Sequence, residues 1–150
     1  MTCIRPAEAK DICRLSEIEV FNYRLNFYPI FLNDEFYFSE YTVENLTSVY
    51  HQNPEALKNT CVYDDGCVKG FIRVSGNEVQ KLFVEPTFQK NGIGTRLLLF
   101  AVNEKNARML WALEKNVRAI AFYERHGFEK TGDRKPEDDT DEYLIRLERR

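Results

Sequence analysis

The sequence predicts a single α/β domain in which helices flank a mixed, largely antiparallel central sheet. Three observations favour this class. The first 65 residues contain no glycine and carry helical apolar spacing, the middle of the chain holds strand patterns between tight turns, and a strand, a glycine loop and a helix follow. The 150 residues are enough to bury one core and too few for two full domains, so we expect one domain over residues 1–150.

Two helices are predicted in the front half, after a short strand at 2–5. Apolar residues three or four positions apart predict the first helix over 7–26. Thr42 as the N-cap, an apolar stripe behind it and the break at Asn53 and Pro54 predict the second helix, which ends near His51. We expect Pro54 to open a short further turn.

Three strands are predicted as a meander in the middle of the chain. Residues 60–63 and 67–74 form a hairpin, because the Asp-Gly pair at 65–66 permits the positive φ values of a tight turn. A second turn at 75–77 leads to the third strand at 78–84.

The back half alternates helices and strands. The predicted order is a helix after the glycine segment, a strand at 109–113, a helix from Asn116 through Tyr123, and final strands at 128–131 and 143–147. Gly127 is placed to end the preceding helix as its left-handed residue.

Composition excludes several classes of protein. With 43% hydrophobic and 30% charged residues, the chain is neither disordered nor a membrane protein, and no apolar run reaches the ~18 residues of a membrane span. A net charge of -3 argues against binding to the phosphate backbone of a nucleic acid, so we expect no nucleic-acid partner and no membrane partner. Acidic residues near the start leave no unbroken apolar leader, and we therefore expect a cytoplasmic protein.

The cysteines and histidines predict no metal site. Four cysteines form no C-x-x-C pair, and the chain has only two histidines. We expect the cysteines to be reduced and structural.

The glycine segment at 89–94 suggests an anion site. Two glycines between a strand and a helix let backbone N–H groups approach an anion at the positive end of the helix. A Walker loop is excluded because Thr95 and Arg96 follow Gly94, and a dinucleotide fingerprint is excluded because Leu97 replaces its third glycine. Taken alone, the segment leaves open a helix entry that binds nothing.

A second block decides between these alternatives. The glycine segment fits the pattern [QR]-x-x-G-x-[GA] through Gln89, Gly92 and Gly94, and residues 116–128 fit N-x-x-A-x-x-F-Y-E-x-x-G-F without a departure. Together the two blocks resemble the GNAT superfamily of acetyl-CoA-dependent N-acetyltransferases. The resemblance is specific from Glu78 to Phe128, and the order of elements is similar over nearly the whole chain.

The resemblance implies a site for acetyl-CoA. The strand backbone would pair with the pantetheine arm, the loop amides would hold the pyrophosphate, and Asn116 would contact the coenzyme, with an N-cap as its alternative role. The implied cofactor-binding residues are Leu82, Phe83, Val84, Gln89, Lys90, Asn91, Gly92, Ile93, Gly94, Thr95, Asn116 and Tyr123.

The resemblance also implies two catalytic residues. Tyr123 would protonate the leaving thiolate, because a phenol of pKa ~10 beside a thiolate whose conjugate acid has a pKa of ~8.5 can donate as the intermediate collapses; the alternative is a core tyrosine. Glu78 stands where histone-acetylating members place their base, with a solvated carboxylate as the alternative and Glu85 and Glu114 as lesser candidates. Backbone amides near Phe83 and Val84 would polarise the thioester carbonyl.

One departure limits the resemblance. The branch that acetylates ribosomal proteins has a glutamate five residues before the asparagine, and this chain has Trp111 there. The resemblance therefore does not extend to the glutamate that marks that branch.

The segment 26–41 is unusually aromatic. It contains seven aromatic residues, and we expect most of the front-half rings to lie in the core. The density nevertheless suggests an apolar wall for the acceptor or a homodimer contact, with Asp34, Glu35 and Glu40 attracting a cationic amine.

The predicted function is direct transfer of an acetyl group from acetyl-CoA to a primary amine of a small molecule or a protein. A non-catalytic acyl-CoA-binding sensor on the same fold is the alternative. A dimerising scaffold that binds no coenzyme is a third hypothesis.

Overall fold

Seven strands form one sheet in a computed structural model that describes residues 3–150, so the predicted start of the first strand at Thr2 lies outside the described residues. The strands are β1 (Ile4–Pro6), β2 (Thr60–Asp64), β3 (Val68–Ser75), β4 (Glu78–Val84), β5 (Met109–Leu113), β6 (Phe128–Pro136) and β7 (Tyr143–Arg149). The helices are α1 (Ile12–Asn26), α2 (Tyr28–Phe31), α3 (Val43–Gln52), α4 (Pro54–Lys58), α5 (Ile93–Glu104) and α6 (Val117–Arg125).

The sheet is mixed and largely antiparallel, as predicted. Its order is β1-β2-β3-β4-β5-β7-β6, and the β4–β5 contact is parallel while the other neighbours are antiparallel. The parallel contact is short, since β4 and β5 pair only at Glu78 with Met109 and at Val79 with Leu110. Beyond these pairs the two strands separate and leave a gap in the middle of the sheet.

Helices cover both faces of the sheet. Leu97 and Leu98 of α5 are fully buried in a core that also contains Leu110 and Leu147 of the sheet. On the opposite face, α1 and α3 pack on β2 and β3 through a second core. Burial of apolar side chains in the first core, at roughly 25 cal/mol per Å², holds the two halves of the interrupted sheet together, because this core contains residues from strands on both sides of the gap.

Several elements match their predicted bounds. Strands β4 and β5 begin and end where the sequence predicts, and Thr42 caps α3 by accepting a hydrogen bond from the Asn45 amide at 3.3 Å. Gly127 has a φ of +89°, the left-handed conformation expected of the residue that ends α6.

Other bounds differ from the prediction. Regular α-helix begins at Ile12 and not at Ala7, because Glu8 and Asp11 form a capping box around a 3-10 turn at Ala9–Asp11. Strands β6 and β7 extend beyond 131 and 147, since β6 is an edge strand of exposed, mostly polar residues that has no apolar alternation to reveal it. The aromatic segment forms α2 and a π-helical turn at Phe36–Glu40.

Among residues 3–150, no helix combines the length and the apolar character needed to cross a membrane.

Candidate active site

Two cavities meet at the gap in the sheet. The first, of about 730 Å³, lies between the end of β4, the start of α5 and α6. The second, of about 740 Å³, lies between β4, β5, the aromatic segment and the turn from β6 to β7. Both are lined by Leu82, Phe83, Asn116, Ala119 and Tyr123. Ligands in the two cavities would therefore meet beside these residues.

The backbone of β4 is placed to receive an extended ligand. The Glu85 amide donates to the Lys69 carbonyl at 2.8 Å, so the alternation along the strand directs the Leu82 and Val84 backbones towards the gap. The Val84 carbonyl is occupied, because it accepts hydrogen bonds from the side chains of Asn22 at 2.9 Å and Gln89 at 3.1 Å.

This alternation corrects one expectation. The Phe83 backbone pairs with Phe71 on the other side of β4, so its amide cannot polarise a carbonyl in the gap. The Val84 amide is the one candidate of the two that faces the gap, and Phe83 lines both cavities.

The glycine loop forms the end of the first cavity. Lys90 and Gly92 have φ values of +69° and +81°, and α5 begins directly after Gly92. The loop thus presents the positive end of a helix to the cavity. Asn91 does not line the cavity, whereas all other predicted cofactor residues do: Leu82, Phe83, Val84, Gln89, Lys90, Gly92, Ile93, Gly94, Thr95, Asn116 and Tyr123.

The first cavity also has basic residues that sequence reasoning missed. Arg118, Arg125 and His126 of α6 and its C-cap line it. The His126 Nδ1 atom lies 2.8 Å from the Phe122 carbonyl, which can only accept, and Nε2 lies 3.2 Å from the Thr95 hydroxyl. The helical spacing of these three residues is a signal that would have placed them on one face of α6.

Tyr123 is half-buried at the junction of the cavities. Its ring contacts Phe122 and Phe128, with ring centroids 5.4 and 5.8 Å away. Burial raises the pKa of Tyr123 above its usual range, so the phenol is protonated at neutral pH and available as a donor. The predicted N-cap of the same helix is also present, since the Asn116 side chain accepts from the Ala119 amide at 3.4 Å.

The three candidate bases have different surroundings. Glu78 lines the second cavity. Glu85 is paired with Arg14 at 3.3 Å, and both oxygens of Glu114 accept from Arg134 at 3.1 Å. Neither of these two lines the second cavity, so Glu78 is the candidate that the geometry favours.

Aromatic rings form one wall of the second cavity. Tyr23 and Tyr41 stack with their centroids 4.4 Å apart, and Phe27 packs edge-on against Tyr23 at 4.8 Å. Of the front-half aromatic residues, Tyr37 and Tyr50 are buried, so the expectation that most of these rings are core is wrong. The remaining rings are half-buried or exposed because they pack on one another around a cavity.

The acidic residues of the second cavity also differ from those expected. Asp34, Glu35 and Glu40 are exposed and do not line it. The turn from β6 to β7 instead contributes Glu137, Asp138 and Asp139. Burial, with Tyr23 and Glu137 nearby, raises the pKa of Tyr37 to about 12, which keeps this wall residue neutral.

The fold and the site define the class of protein. Residues 56–130, half of the chain, match the family described as "Acetyltransferase (GNAT) domain". The chain belongs to the GNAT acetyltransferase family, and the family and fold predicted from the sequence are confirmed.

The sequence is also similar to individual members of this family. The chain is 32% identical over 79 residues to the peptidyl-lysine N-acetyltransferase YjaB of Salmonella typhimurium, a match that covers 53% of this chain and 54% of that protein. It is 30% identical over 98 residues to YjaB of Escherichia coli, covering 65% of this chain and 67% of that protein. The matched part thus spans about half of the length of the Salmonella relative.

A comparison of structures shows similarity of fold over nearly the whole chain. The solution structure of apo YjaB from Escherichia coli superposes with a TM-score of 0.69 at 22% identity, covering 97% of this chain and 95% of that one.

Proposed function

We propose that this protein is an acetyl-CoA-dependent N-acetyltransferase that transfers the acetyl group directly to a primary amine of a small molecule or a protein. The observation that carries the proposal is the position of Tyr123, which lines both cavities at the gap in the sheet. A thioester in the first cavity and an amine in the second would meet beside a protonated phenol. Membership of the family and the name of the YjaB relatives support this proposal.

The residues at the gap suit the steps of such a transfer. Glu78, directly or through a water, takes a proton from the amine, whose nitrogen then attacks the thioester carbonyl. The Val84 amide stabilises the charge that develops on the carbonyl oxygen. The C–S bond breaks as the intermediate collapses, and Tyr123 donates its proton to the coenzyme thiolate. The nitrogen of the new amide loses its remaining extra proton to solvent, and solvent reprotonates Tyr123.

A panel of amines with acetyl-CoA tests the proposal through release of free thiol. The panel includes lysine-containing peptides, peptides with a free N-terminus, polyamines and free amino acids. Thiol release that depends on one class of amine supports the transferase. Binding of acetyl-CoA without turnover on any amine would favour the sensor, and absence of binding would favour the scaffold.

The cytoplasmic location and a homodimer stay predictions.

For Glu78→Gln we expect a loss of turnover that is largest at neutral pH. At higher pH more of the amine is already neutral, so proton removal by a base contributes less to the rate and the activity of the variant partly recovers. Rate profiles from pH 6 to 10 measure this effect. Glu114→Gln is the matched control, because its carboxylate lies outside the cavity and is paired with Arg134. A Glu78→Gln profile with the same shape as that of the parent would remove Glu78 from the mechanism.

The acidic turn predicts how the acceptor is attracted. Changing Glu137, Asp138 and Asp139 together to amides is expected to raise the KM for a cationic amine several-fold and to leave the KM for acetyl-CoA unchanged. Added salt should mimic the change, because exposed charges are screened over ~8 Å at physiological ionic strength.

The control for this prediction is the pair Asp34→Asn and Glu35→Gln, which removes charge from the aromatic segment outside the cavity. If this pair raised the acceptor KM as much as the triple variant, overall charge and not the turn would be responsible.

A further inference from the structure

A buried cluster of charged residues lies behind the wall of the second cavity. Arg73 of β3 and Lys81 of β4 are cross-strand partners in the sheet. Arg73 is 7% exposed, and the Lys81 side chain is 23% exposed. Two cations opposite one another in a sheet destabilise it unless an anion lies between them.

Within the described residues, one carboxylate lies in this cluster, and it forms a salt bridge with Lys81 only. Glu19 of α1 is 2% exposed, and its Oε2 atom lies 3.4 Å from the Lys81 Nζ atom. Arg73 has no carboxylate within salt-bridge distance among residues 3–150; it donates to the Thr60 hydroxyl at 3.0 Å and to the Tyr50 hydroxyl.

Tyrosine hydroxyls complete the cluster. Tyr50 donates to Glu19 at 3.1 Å, and Tyr41 donates to the other oxygen of the same carboxylate. These phenols are neutral, since burial raises the pKa of both Tyr41 and Tyr50 above the usual range. The cluster of Glu19, Arg73 and Lys81 thus holds one more positive than negative charge.

Lys81 is the cation of this cluster that lines the second cavity. Lys81 donates a hydrogen bond to the Tyr23 hydroxyl, and both residues line the second cavity. Glu19 and Arg73 do not line it. Lys81 directly precedes Leu82 in β4, and Leu82 lines both cavities.

From this geometry we infer that Lys81 and Tyr23 bind a carboxylate of the acceptor. The inference rests on the proposed function and names its substrate class: an amine with a carboxylate close to it, on an apolar body that packs against the aromatic wall. One ammonium and one hydroxyl match the two oxygens of a carboxylate. Glu78 and the acidic turn line the same cavity, which disfavours a dianion such as a phosphate and suits the ammonium end of a zwitterion.

Matched pairs of acceptors test this inference. We compare L-phenylalanine with L-phenylalaninamide, and L-leucine with L-leucinamide, by thiol release from acetyl-CoA. The parent protein is expected to prefer each acid over its amide by at least ~10-fold in kcat/KM, because only the acid brings a second anion to a cluster that holds one more positive than negative charge. Lys81→Met should lower kcat/KM for the acids ~10-fold to 100-fold and leave that for the amides within about threefold.

Two further variants separate recognition from structure. Lys81→Met leaves Glu19 buried without its cation, so Lys81→Met with Glu19→Gln removes both charges together and protects the fold. Lys135→Met is the matched lysine control, since Lys135 lines the same cavity but lies 4.2 Å from the Trp111 ring and outside the cluster. The double variant should lose the preference for acids, and the control variant should keep it.

Equal kcat/KM for acids and amides in the parent would overturn the inference. An equal loss of kcat/KM for acids and amides in the double variant would also overturn it, because that result would assign Lys81 a structural role. The proposed function fails separately, if no amine of the panel releases thiol from acetyl-CoA. A binding measurement covers that case: calorimetry with coenzyme A present should show tighter binding of N-acetyl-L-phenylalanine than of its amide. Equal binding, or none, counts against the inference.

Discussion

Replacing Tyr123 with phenylalanine is expected to lower turnover by ~100-fold or more, because general acid catalysis by a positioned side chain contributes at least that much. Affinity for acetyl-CoA should change little, since the ring and its packing against Phe122 and Phe128 are retained. Steady-state kinetics with a reactive amine and calorimetry with acetyl-CoA measure the two effects separately. A fall in kcat and in kcat/KM by the same factor is the signature of an interaction made in the transition state.

Tyr143→Phe is the control for this variant, because Tyr143 is an exposed tyrosine that lines neither cavity.

The raised pKa of Tyr123 also sets an upper pH limit for its action as a general acid. The phenol must be protonated to act, so the parent should not lose activity through this group until the pH exceeds the ordinary phenol value of ~10. Equal turnover of Tyr123→Phe and the parent would exclude the general acid role.

Replacing Gly92 with alanine is expected to weaken acetyl-CoA binding ~10-fold or more, a free-energy change of ~1.4 kcal/mol. Gly92 has a φ of +81° immediately before α5, in the loop that lines the first cavity. Apart from its chain neighbours and the backbone of the adjacent helix turn, an added Cβ meets no atom within 4 Å, so it would occupy open space at the helix end where the diphosphate is proposed to bind. Calorimetry with acetyl-CoA measures the loss.

Gly76→Ala controls for backbone strain. Gly76 has a φ of +60° in the turn between β3 and β4, and an added Cβ there is likewise clear of other atoms within 4 Å. Both variants place an L-residue in the left-handed region and should lose similar stability, ~1 to 2 kcal/mol. Unchanged affinity in folded Gly92→Ala would locate the phosphate site elsewhere.

Many residues of the first cavity could be predicted from the sequence because they lie in short, recognisable sequence patterns. The glycine loop, the Asn116 cap and the strand before Pro86 each lie within a short stretch of sequence, and the chain there folds by local rules. The second cavity depends on segments that are distant in the chain. Its acidic turn at 137–139 reaches β4 only through the pairing of β6 and β7 with β5, which no local pattern encodes.

The buried cluster corresponds to a recognisable pattern of polar residues in the sequence of α1. Ser16, Glu19 and Asn22 are spaced three apart on α1 and are all buried beside its apolar stripe. A polar line on the inward face of a helix predicts partners inside the protein, because buried polar groups are almost always hydrogen-bonded. The sequence alone could not name those partners, since Lys81, the partner of Glu19, and Val84, the partner of Asn22, lie more than fifty positions away.

The short pairing of β4 with β5 also has a thermodynamic consequence. Where the strands separate, backbone donors and acceptors forgo the hydrogen bonds that a continuous sheet would give them. A cosubstrate that binds only the folded chain raises the free energy of unfolding, by ~2.7 kcal/mol when its free concentration is 100 times its Kd. For a chain of this size that corresponds to a rise in Tm of roughly 5 to 10 °C. Resistance to unfolding, and with it the lifetime of the protein in a cell, would then follow the supply of acetyl-CoA.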